Sequence, residues 1–414
     1  MEFTYPGRIG SQELRLLKPL SASQRVLRFA ILTVPRSLAR GHTYTAVSYT
    51  WGEEEASEVI YLGDKAFSVR PNLWSCLYYL SLSERRSEWN YLWVDAICIN
   101  QDDITERNLQ VGAMGTTYGN AFCVSVWLGL PPLPDEYMPL LQGKDRAKTV
   151  EVDPFDWELY LSDLANRPYW SRFWVIQEFL LAINVELYCS NSKMDWSVFR
   201  DMLCHVADVN EVGGEEIPSR ALDSYRALSL VMGRHPDKHP GILQPLHDLL
   251  IAHRRSVCKD PRDRVFALMG LIDQEERDLL SRLFPNYAIT EEQVNIITIA
   301  HILYFDRFSG KRALNINSEV LLALGIKSKA KRKSLLRRAK RLDYVDMNTI
   351  DGALQSLEDL DEEMLDISED EDELEPAPVC LGRSLKIGIG LVCLGAVGLV
   401  IWLYRPRVLN VFSG

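Results

Sequence analysis

The stretch YTAVSYTWG at residues 44–52 decides the fold. It begins with strand-forming residues and ends at Trp51 and Gly52, after which three glutamates follow at 53–55. In parallel α/β sheets, ligands bind at the carboxyl ends of strands, and a glycine there lets the backbone turn without a side-chain clash. We therefore expect the end of this strand to form one wall of a binding cleft.

The acidity of the chain is confined to one tract. The 414 residues are 47% hydrophobic and carry a formal net charge of −11. Thirteen carboxylates lie between Asp351 and Glu375 with no Lys or Arg among them, so removing them leaves the rest of the chain at +2. A nucleic-acid-binding protein needs a basic surface on its folded part. We therefore expect no nucleic-acid partner.

The cysteines and glycines exclude several classes of protein. Eight cysteines are scattered through apolar segments, without the spacing of a zinc site or a disulfide framework. Cys98 lies between two isoleucines with no histidine near it in sequence, which is typical of an inert core thiol rather than a nucleophile. Neither a P-loop nor a dinucleotide-binding glycine pattern occurs. We expect a reducing compartment, no metal and no bound cofactor.

Hydrophobic patterns predict an α/β fold followed by a largely helical region up to about residue 303. A helix between two buried strands, at 92–99 and 122–130, implies a right-handed crossover and a parallel sheet. Asp103 and Glu106 have the spacing of a capping box at the start of that helix. The predicted strands are 13–17, 26–34, 45–49, 92–99, 122–130 and 185–189 with a hairpin over 59–69, and the predicted helices are 72–82, 104–119 and 170–182.

The C-terminal segment Ile387–Tyr404 predicts a membrane anchor. It has 18 residues without a charge, and a helix of that length spans roughly 27 Å, close to the hydrocarbon thickness of a bilayer. Its four glycines argue against the alternative of a buried helix in a soluble core. Only ten residues follow, so we expect the bulk of the chain in the cytosol and one C-terminal span in the endoplasmic reticulum or mitochondrial outer membrane. The predicted anchor side chains are Ile387, Leu391, Leu394, Val397, Leu399, Trp402 and Tyr404.

The charged stretch before this segment predicts a solvated linker. Residues 327–341 hold nine Lys or Arg, and the acidic tract follows them. Opposite charge blocks of this kind are typical of mobile chain. We expect a disordered linker over 311–382 and the anchor over 383–414.

Five segments closely resemble, in order and spacing, the fungal heterokaryon incompatibility (HET) domain. They are YTAVSYTWG at 44–52, LWVDAICINQDDITERNLQVGAMGTTYGNA at 92–121, VWLG at 126–129, RPYWSRFWVIQE at 167–178 and DPRDRVFALMGL at 260–271. With this resemblance we divide the body of the chain into N-terminal strands over 1–40, the HET domain over 41–192 and a helical region over 193–310.

The resemblance implies a cytosolic protein of filamentous fungi. Such a protein recognises non-self after hyphal fusion, or acts in related defence, and can trigger programmed cell death. The implied partners are other proteins of that pathway, an allelic partner or a second copy of the chain.

Part of the same sequence is similar to Toll/interleukin-1 receptor (TIR) domains. YTAVSYTWG is similar to their first strand, and FWVIQEF at 173–179 is similar to the helix in which a tryptophan precedes a glutamate by four positions. Here these residues are Trp174 and Glu178. The similarity implies a TIR-like, mostly parallel sheet with flanking helices. For the enzymes of that family it also implies NAD as a substrate, cleaved between nicotinamide and ribose with the glutamate as the catalytic residue.

The surroundings of Glu178 allow two interpretations. On one helix, Trp170, Trp174 and Glu178 would lie along the same side. A carboxylate held there at a cleft edge is partly desolvated, which raises its pKa, and its charge can stabilise a cation-like ribosyl transition state. The alternative is a surface or salt-bridged carboxylate on a core helix.

Asp95 lies in the apolar run 92–99 and needs partners if it is buried. Arg107, Arg172 and the groups of Asn100 and Gln101 are the expected donors. Structural pairing and a polar lining of the cleft both stay open for Asp95, and Asn100 and Gln101 could also begin the following helix. The candidate substrate-binding residues are Tyr49, Trp51, Gly52, Asp95, Asn100, Gln101, Arg172 and Trp174.

Three hypotheses about function follow from these patterns. In the first, the cleft binds NAD and Glu178 supports its cleavage. In the second, the protein is a non-catalytic signalling or scaffold module that recognises partner domains. In the third, the acidic tract and the membrane segment are the toxic element.

Overall fold

The structure is a computed structural model, and it describes most of the first 366 residues. The described ranges are 2–23, 26–39, 44–82, 90–130, 154–203, 226–234, 243–308, 318–342 and 346–366. Met1–Asp366 form one compact unit, and the boundaries expected at 40, 192 and 310 stay predictions. The predicted anchor at Ile387–Tyr404 lies outside the described residues. Across the described ranges, no helix is both long and apolar enough to cross a membrane.

A mixed sheet of nine strands forms the centre of the described residues. Its strands are β1 (Glu13–Ser23), β2 (Val26–Pro35), β3 (Tyr44–Tyr49), β4 (Glu58–Leu62), β5 (Lys65–Val69), β6 (Tyr91–Trp93), β7 (Cys123–Trp127), β8 (Val185–Cys189) and β9 (Ser192–Asp195). Their order in the sheet is β5–β4–β2–β1–β6–β3–β7–β8–β9.

The direction of the strands differs from the expectation. Of the neighbouring pairs in this sheet, four are parallel and four are antiparallel. The prediction of a mostly parallel sheet is therefore wrong. Hairpins such as β1–β2, β4–β5 and β8–β9 add antiparallel strands around a parallel centre of β6, β3, β7 and β8.

The strand β3 is the stretch that the sequence singled out, and it lies inside the sheet between β6 and β7. It pairs with both neighbours in parallel. All six of its residues are buried, as expected for a strand that is covered on both faces. Just after it, Gly52 has a positive φ of 75°, so the glycine makes the turn that the sequence predicts.

Helices surround the sheet and fill the described part of the chain after β9. They are α1 (Arg36–Ala39), α2 (Pro71–Leu82), α3 (Asp95–Cys98), α4 (Ile104–Gly112), α5 (Met114–Asn120), α6 (Pro154–Asn166), α7 (Phe173–Leu180), α8 (Leu228–Gly233), α9 (Leu246–Ala252), α10 (Asp263–Phe266), α11 (Gln274–Leu280), α12 (Glu291–Phe308), α13 (Ser318–Ala323), α14 (Lys329–Ala339) and α15 (Ile350–Asp366). Short 3₁₀ turns occupy Pro168–Ser171, Met269–Leu271 and Asp346–Asn348.

The apolar run 92–99 is not one strand. β6 ends at Trp93, and the backbone then forms the helical turn α3, in which the Val94 carbonyl accepts from the N–H of Cys98 at 2.7 Å. A short, continuously apolar run fits a buried strand and a buried helical turn equally well. Burial therefore explains the composition of this run, and hydrogen bonding decides its shape.

The prediction of a disordered linker over 311–382 is wrong for the residues that the structure describes there. α14 buries Leu335 and Ala339, and α15 buries Ala353 and Leu357. Both helices pack against α12. Amphipathic helices keep their charged side chains outside while an apolar stripe packs on the core, so strong charge does not prevent folding here.

A buried ion pair joins the N-terminal strands to α4. Arg15 of β1 and Glu106 of α4 are both at most 1% exposed, and Arg15 Nη2 donates to Glu106 Oε2 at 2.9 Å. Arg15 also donates to the carbonyl of Cys98, while Glu106 accepts from the N–H groups of Ile9 and Asn100. Asp103 caps α4 through the N–H of Glu106, as the capping-box spacing predicts. The Glu106 side chain itself belongs to the ion pair.

We predict that Glu106→Ala lowers the free energy of unfolding by about 3–5 kcal/mol, because it leaves the Arg15 guanidinium buried without its partner. Glu292→Ala is the matched control, since Glu292 pairs with Arg338 but is 45% exposed. Exposed pairs contribute about 0–1 kcal/mol. Urea unfolding of both variants and the parent chain measures the losses, and equal losses would contradict the role of the buried pair.

Candidate functional site

Glu178 lies in a buried polar cluster against β3. Its Oε2 accepts a hydrogen bond from Ser48 Oγ. The Ser48 Oγ atom in turn lies 2.7 Å from the hydroxyl oxygen of Tyr169. The Tyr118 hydroxyl is a further hydrogen-bond partner of the carboxylate. We call these four residues the Glu178 cluster. Glu178 is 1% exposed, and the other three are also buried.

The turn before α7 sets the position of Glu178. The segment predicted as one helix over 170–182 breaks at Arg172, whose extended backbone has φ −78° and ψ 141°. Trp170 therefore lies on the preceding 3₁₀ turn, where its ring stacks on Phe199 at 5.6 Å. The expectation that Trp170 shares a helix face with Glu178 is wrong, because Pro168 begins a separate turn. The same turn brings Tyr169 to Ser48.

Burial controls the ionisation of Glu178. It raises the pKa of this carboxyl from its ordinary value of 4.5 to about 7. The nearby guanidinium of Arg172 opposes the rise, the carboxylate of Asp95 adds to it, and hydrogen bonds from Ser48 and Tyr118 lower it again. Glu178 is therefore close to half ionised at neutral pH.

Asp95 is a second, half-buried acid near the end of β3. Its Oδ2 accepts from Trp51 Nε1 at 2.9 Å, and its Oδ1 accepts from the N–H of Ala96 at 2.7 Å. Burial raises the pKa of Asp95, while Arg172, the Trp51 bond and the backbone N–H lower it. Of the two arginines expected as partners, Arg172 is the one that acts on Asp95. Arg107 instead lies over the ring of Tyr287, 4.1 Å from its centroid.

Three side chains bind the carbonyl groups where β3 ends. Arg172 donates to the carbonyl of Tyr49, Asn72 to that of Thr50, and Arg70 to that of Gly52. Gly52 itself is exposed. The end of β3 is thus a backbone segment held by two arginines and an amide, with the Trp51–Asp95 contact beside it.

The remaining candidates lie elsewhere. Asn100 belongs to the start of α4: its N–H donates to Glu106, and its Oδ1 accepts from the N–H of Asp102. Gln101 donates to the backbone carbonyl of Asp95 at 3.0 Å, which makes it a support for that turn. Trp174 donates a hydrogen bond to Asp263. The alternative in which Asn100 simply begins the following helix fits its contacts.

The sequence reasoning missed Ser48, Tyr118 and Tyr169. Ser48 is a polar residue in a strand whose six residues are all buried, and that is the one signal that could have identified it. Cys98 is buried, and burial raises the pKa of its thiol to about 12, which agrees with an inert core cysteine.

The arrangement encloses Glu178 rather than placing it at the edge of an open cleft. Glu178 is 1% exposed, so its carboxylate contacts side chains instead of solvent. The expectation that it lies at the edge of an open cleft is therefore wrong for this conformation. Within the described ranges, His, Cys, Asp and Glu side chains form no group of three or more that could hold a metal ion. The chemistry available at this site is that of a carboxylate, an arginine and hydroxyl groups.

We predict that Glu178→Gln stabilises the protein at high pH. The folded-state pKa lies above the unfolded value, so the folded state binds more protons between pH 4.5 and 7, and the stability of the parent falls as pH rises through that range. The variant lacks this loss, which is about 3 kcal/mol for a shift of this size. Urea unfolding at pH 4 to 8 should show its advantage growing with pH. Glu58→Gln, at an exposed position of β4, is the control, and a pH-independent difference for Glu178→Gln would contradict the burial of its charge.

Comparisons with known proteins agree with the resemblance seen in the sequence. Residues 44–178 match the family model described as Heterokaryon incompatibility protein (HET). Heterokaryon incompatibility protein 6, OR allele, from Neurospora crassa is 26% identical over 352 residues, covering 70% of this chain and 51% of the relative. The chain thus spans about half the length of the curated relative that it matches.

No solved structure matches the chain. The matched residues begin with the first residue of β3 and end at Glu178. They therefore contain all four members of the Glu178 cluster. The chain therefore contains a heterokaryon incompatibility (HET) domain at residues 44–178.

Proposed function

We propose that this protein acts in fungal vegetative incompatibility, the recognition of non-self after cells fuse, and promotes programmed cell death. The HET domain over 44–178 and the similarity to a heterokaryon incompatibility protein of Neurospora crassa support this role. Other proteins of that pathway, an allelic partner or a second copy of the chain are the proposed partners.

We further propose that the domain cleaves NAD, with Glu178 as the catalytic residue. The observation that carries this proposal is a buried carboxylate with a pKa of about 7 beside the end of β3. In its ionised form such a group stabilises positive charge on a ribosyl carbon, and low solvent access strengthens that interaction. NAD is then a substrate rather than a bound cofactor.

The proposed reaction is a hydrolysis at the N-glycosidic bond. The bond from ribose C1′ to the nicotinamide nitrogen breaks, and nicotinamide leaves as a neutral molecule with the bonding electron pair. The oxygen of a water molecule bonds to C1′, and the released proton passes through Glu178 to solvent. Of the predicted substrate-binding residues, the proposal retains Tyr49, Trp51, Gly52, Asp95 and Arg172, which lie together around the end of β3.

Access to Glu178 requires a conformational change. The carboxylate is 1% exposed, so substrate reaches it only when side chains around it move. We propose that self-association or partner binding at the end of β3 produces this opening. Trp51 is half-buried and Gly52 is exposed there, so a partner can contact this segment directly.

The second candidate function is a non-catalytic signalling or scaffold module. One observation favours it: Glu178 has hydrogen-bond partners and is only 1% exposed in this conformation. In that case the Glu178 cluster stabilises one conformation of a domain that recognises partners, and the acid takes part in no reaction.

We predict that the full chain releases nicotinamide from NAD and that Glu178→Gln lowers the rate by at least about 100-fold, because the amide keeps the shape but removes the charge. The rate should rise with pH up to about 7 and then level off, since the ionised carboxylate is the active form. Chromatography of nicotinamide measures both effects. Glu58→Gln, at its exposed position, should keep the parent rate.

Two results would favour the scaffold instead. One is the absence of nicotinamide from the parent chain at every protein concentration, which covers self-association. The other is cell death on expression of Glu178→Gln at the level of the parent. Cell death caused by residues 383–414 alone would favour the acidic tract and membrane segment as the toxic element.

We also propose that Ile387–Tyr404 tethers the protein to the endoplasmic reticulum or mitochondrial outer membrane, an argument that rests on its 18 uncharged residues. A tagged chain should stay in the membrane pellet after carbonate extraction. Leu394→Arg with Val397→Arg should release it, because each charge at the bilayer centre costs about 2.5–3.5 kcal/mol. Val59→Arg with Leu322→Arg, at positions 43% and 46% exposed, adds the same charge as a control. Release of the parent into the supernatant would rule out a membrane span.

A further inference from the structure

The helix that carries Glu178 is held by residues that follow the HET domain. α7 spans Phe173–Leu180, and the matched residues end at 178. Described residues within 226–234 and 243–290 contact it at its amino end, its middle and its carboxyl end. We call these residues the clamp.

At the amino end the clamp caps the helix. The N–H of Phe173 donates to the carbonyl of Val257 at 3.0 Å, and the N–H of Val257 donates to the carbonyl of Ser171 at 2.7 Å. The first N–H groups of a helix have no partner within it, and the side chain of Arg172 supplies no cap. The segment around Val257 therefore provides the hydrogen bond that begins α7.

In the first turn of the helix, Trp174 also contacts the clamp. It donates to Asp263, which also accepts from the hydroxyl of Tyr287 at 2.6 Å. Trp174 precedes Glu178 by one helical turn, so the two side chains lie on the same side of α7. A displacement of Trp174 is therefore transmitted to Glu178.

In the middle of α7 the contact is closest. Oε1 of Gln177 accepts from the N–H of Gly270 at 2.8 Å. A Cβ atom on Gly270 would lie 2.2 Å from that oxygen and 2.9 Å from Leu181 Cδ1, so only glycine allows this approach. Gln177 directly precedes Glu178 in the chain, which makes this the contact with the most direct effect on the carboxylate.

At the carboxyl end, a buried arginine binds the last carbonyl groups. Arg234 is 6% exposed and donates to the carbonyls of Phe179 at 2.7 Å and Ile183 at 2.8 Å. Its guanidinium also lies over the rings of Phe179 and Trp196. The final carbonyls of a helix need partners outside it, and Arg234 supplies them for α7 and the turn after it.

We propose that the clamp positions Glu178 for function, with Gly270, Asp263 and Arg234 as positioning residues. The inference rests on the proposed role of Glu178, and it extends the working unit of this protein well beyond residues 44–178. A carboxylate that must meet Ser48 and Tyr118 tolerates little movement of its helix, because misplacement by about 1 Å already costs a large part of a positioned interaction. The clamp fixes both ends and the register of α7 at once.

The test uses Gly270→Ala in the full chain, where the new Cβ must displace the buried side chains of Gln177 and Leu181, which α7 and its C-cap carry. Gly233→Ala is the matched control, because its Cβ would lie 3.8 Å from Leu180 Cδ2, an ordinary contact with the same helix. Adding Gln177→Ala to Gly270→Ala removes the obstructing amide and serves as the suppressor. Arg234→Met removes the carboxyl-end donors without adding bulk, and it supplies an independent test should Gly270→Ala fail to fold.

In each background, the free energy of unfolding is measured against pH with and without Glu178→Gln, and the readout is the difference between the two curves. The pH at the midpoint of this difference depends on the surroundings of the Glu178 carboxyl. A loss of overall stability alone does not change that pH. We expect the midpoint to fall by at least about one pH unit in Gly270→Ala and Arg234→Met, because a displaced carboxyl becomes solvated. It should stay at the parent value in Gly233→Ala and return towards it with the suppressor.

An unchanged midpoint in both Gly270→Ala and Arg234→Met would overturn the clamp. Because the midpoint is measured without substrate, this outcome is independent of NAD cleavage. Absence of nicotinamide release from the parent counts against the proposed reaction alone. If release is lost in Gly270→Ala and recovered in the suppressor, the result supports both the reaction and the clamp.

Discussion

The folded state must accommodate a carboxylate that lies inside the protein against strand β3. Burying such a charge is costly unless hydrogen bonds replace its water. The replacements for Glu178 come from two elements, Ser48 in β3 and Tyr118 in α5, while Tyr169 on the turn before α7 bonds to Ser48. Displacing β3 or α5 leaves the carboxylate short of a partner, and displacing the turn removes Tyr169 from Ser48. The cluster therefore makes strand, turn and helix parts of one arrangement.

Glu106 and Glu178, two of the buried acids of this protein, have different kinds of partner. Glu106 meets the guanidinium of Arg15 directly, with further hydrogen bonds from backbone N–H groups. Such a pair is suited to joining two elements permanently. Glu178 is held by hydroxyl groups, while Arg172 nearby donates to the carbonyl of Tyr49. With a pKa of about 7, Glu178 can change its charge under physiological conditions, and this favours a functional role for it over a purely structural one.

The sequence was sufficient for features that local patterns determine. β3, the turn at Gly52 and the strand β8 follow from strand-forming runs and a glycine. It was insufficient where short apolar runs allow two shapes, as at 92–99, and where an extended residue interrupts a helical pattern, as Arg172 does within 170–182. The partners of Glu178 could not be predicted, because Ser48 lies 130 positions away in the chain and meets it only in the folded state. The charge blocks led to a wrong prediction of disorder for a related reason. α14 and α15 bury their apolar stripes against α12, and composition does not reveal that contact.

Enclosure and charge at this site are physically linked. A conformation that exposes Glu178 to solvent returns its pKa towards 4.5, whereas the enclosed conformation keeps it near 7. Opening therefore releases a proton at neutral pH, and by linkage a higher pH favours the open conformation by up to about 3 kcal/mol. Burial strengthens the interactions of the ionised carboxylate, but it also raises the free energy of ionising Glu178. The enclosed state is therefore partly protonated, and it is closed to the proposed substrate. A partner that opens the end of β3 would thus supply access and the charged form of the acid in one step, as the proposed role in programmed cell death after recognition requires.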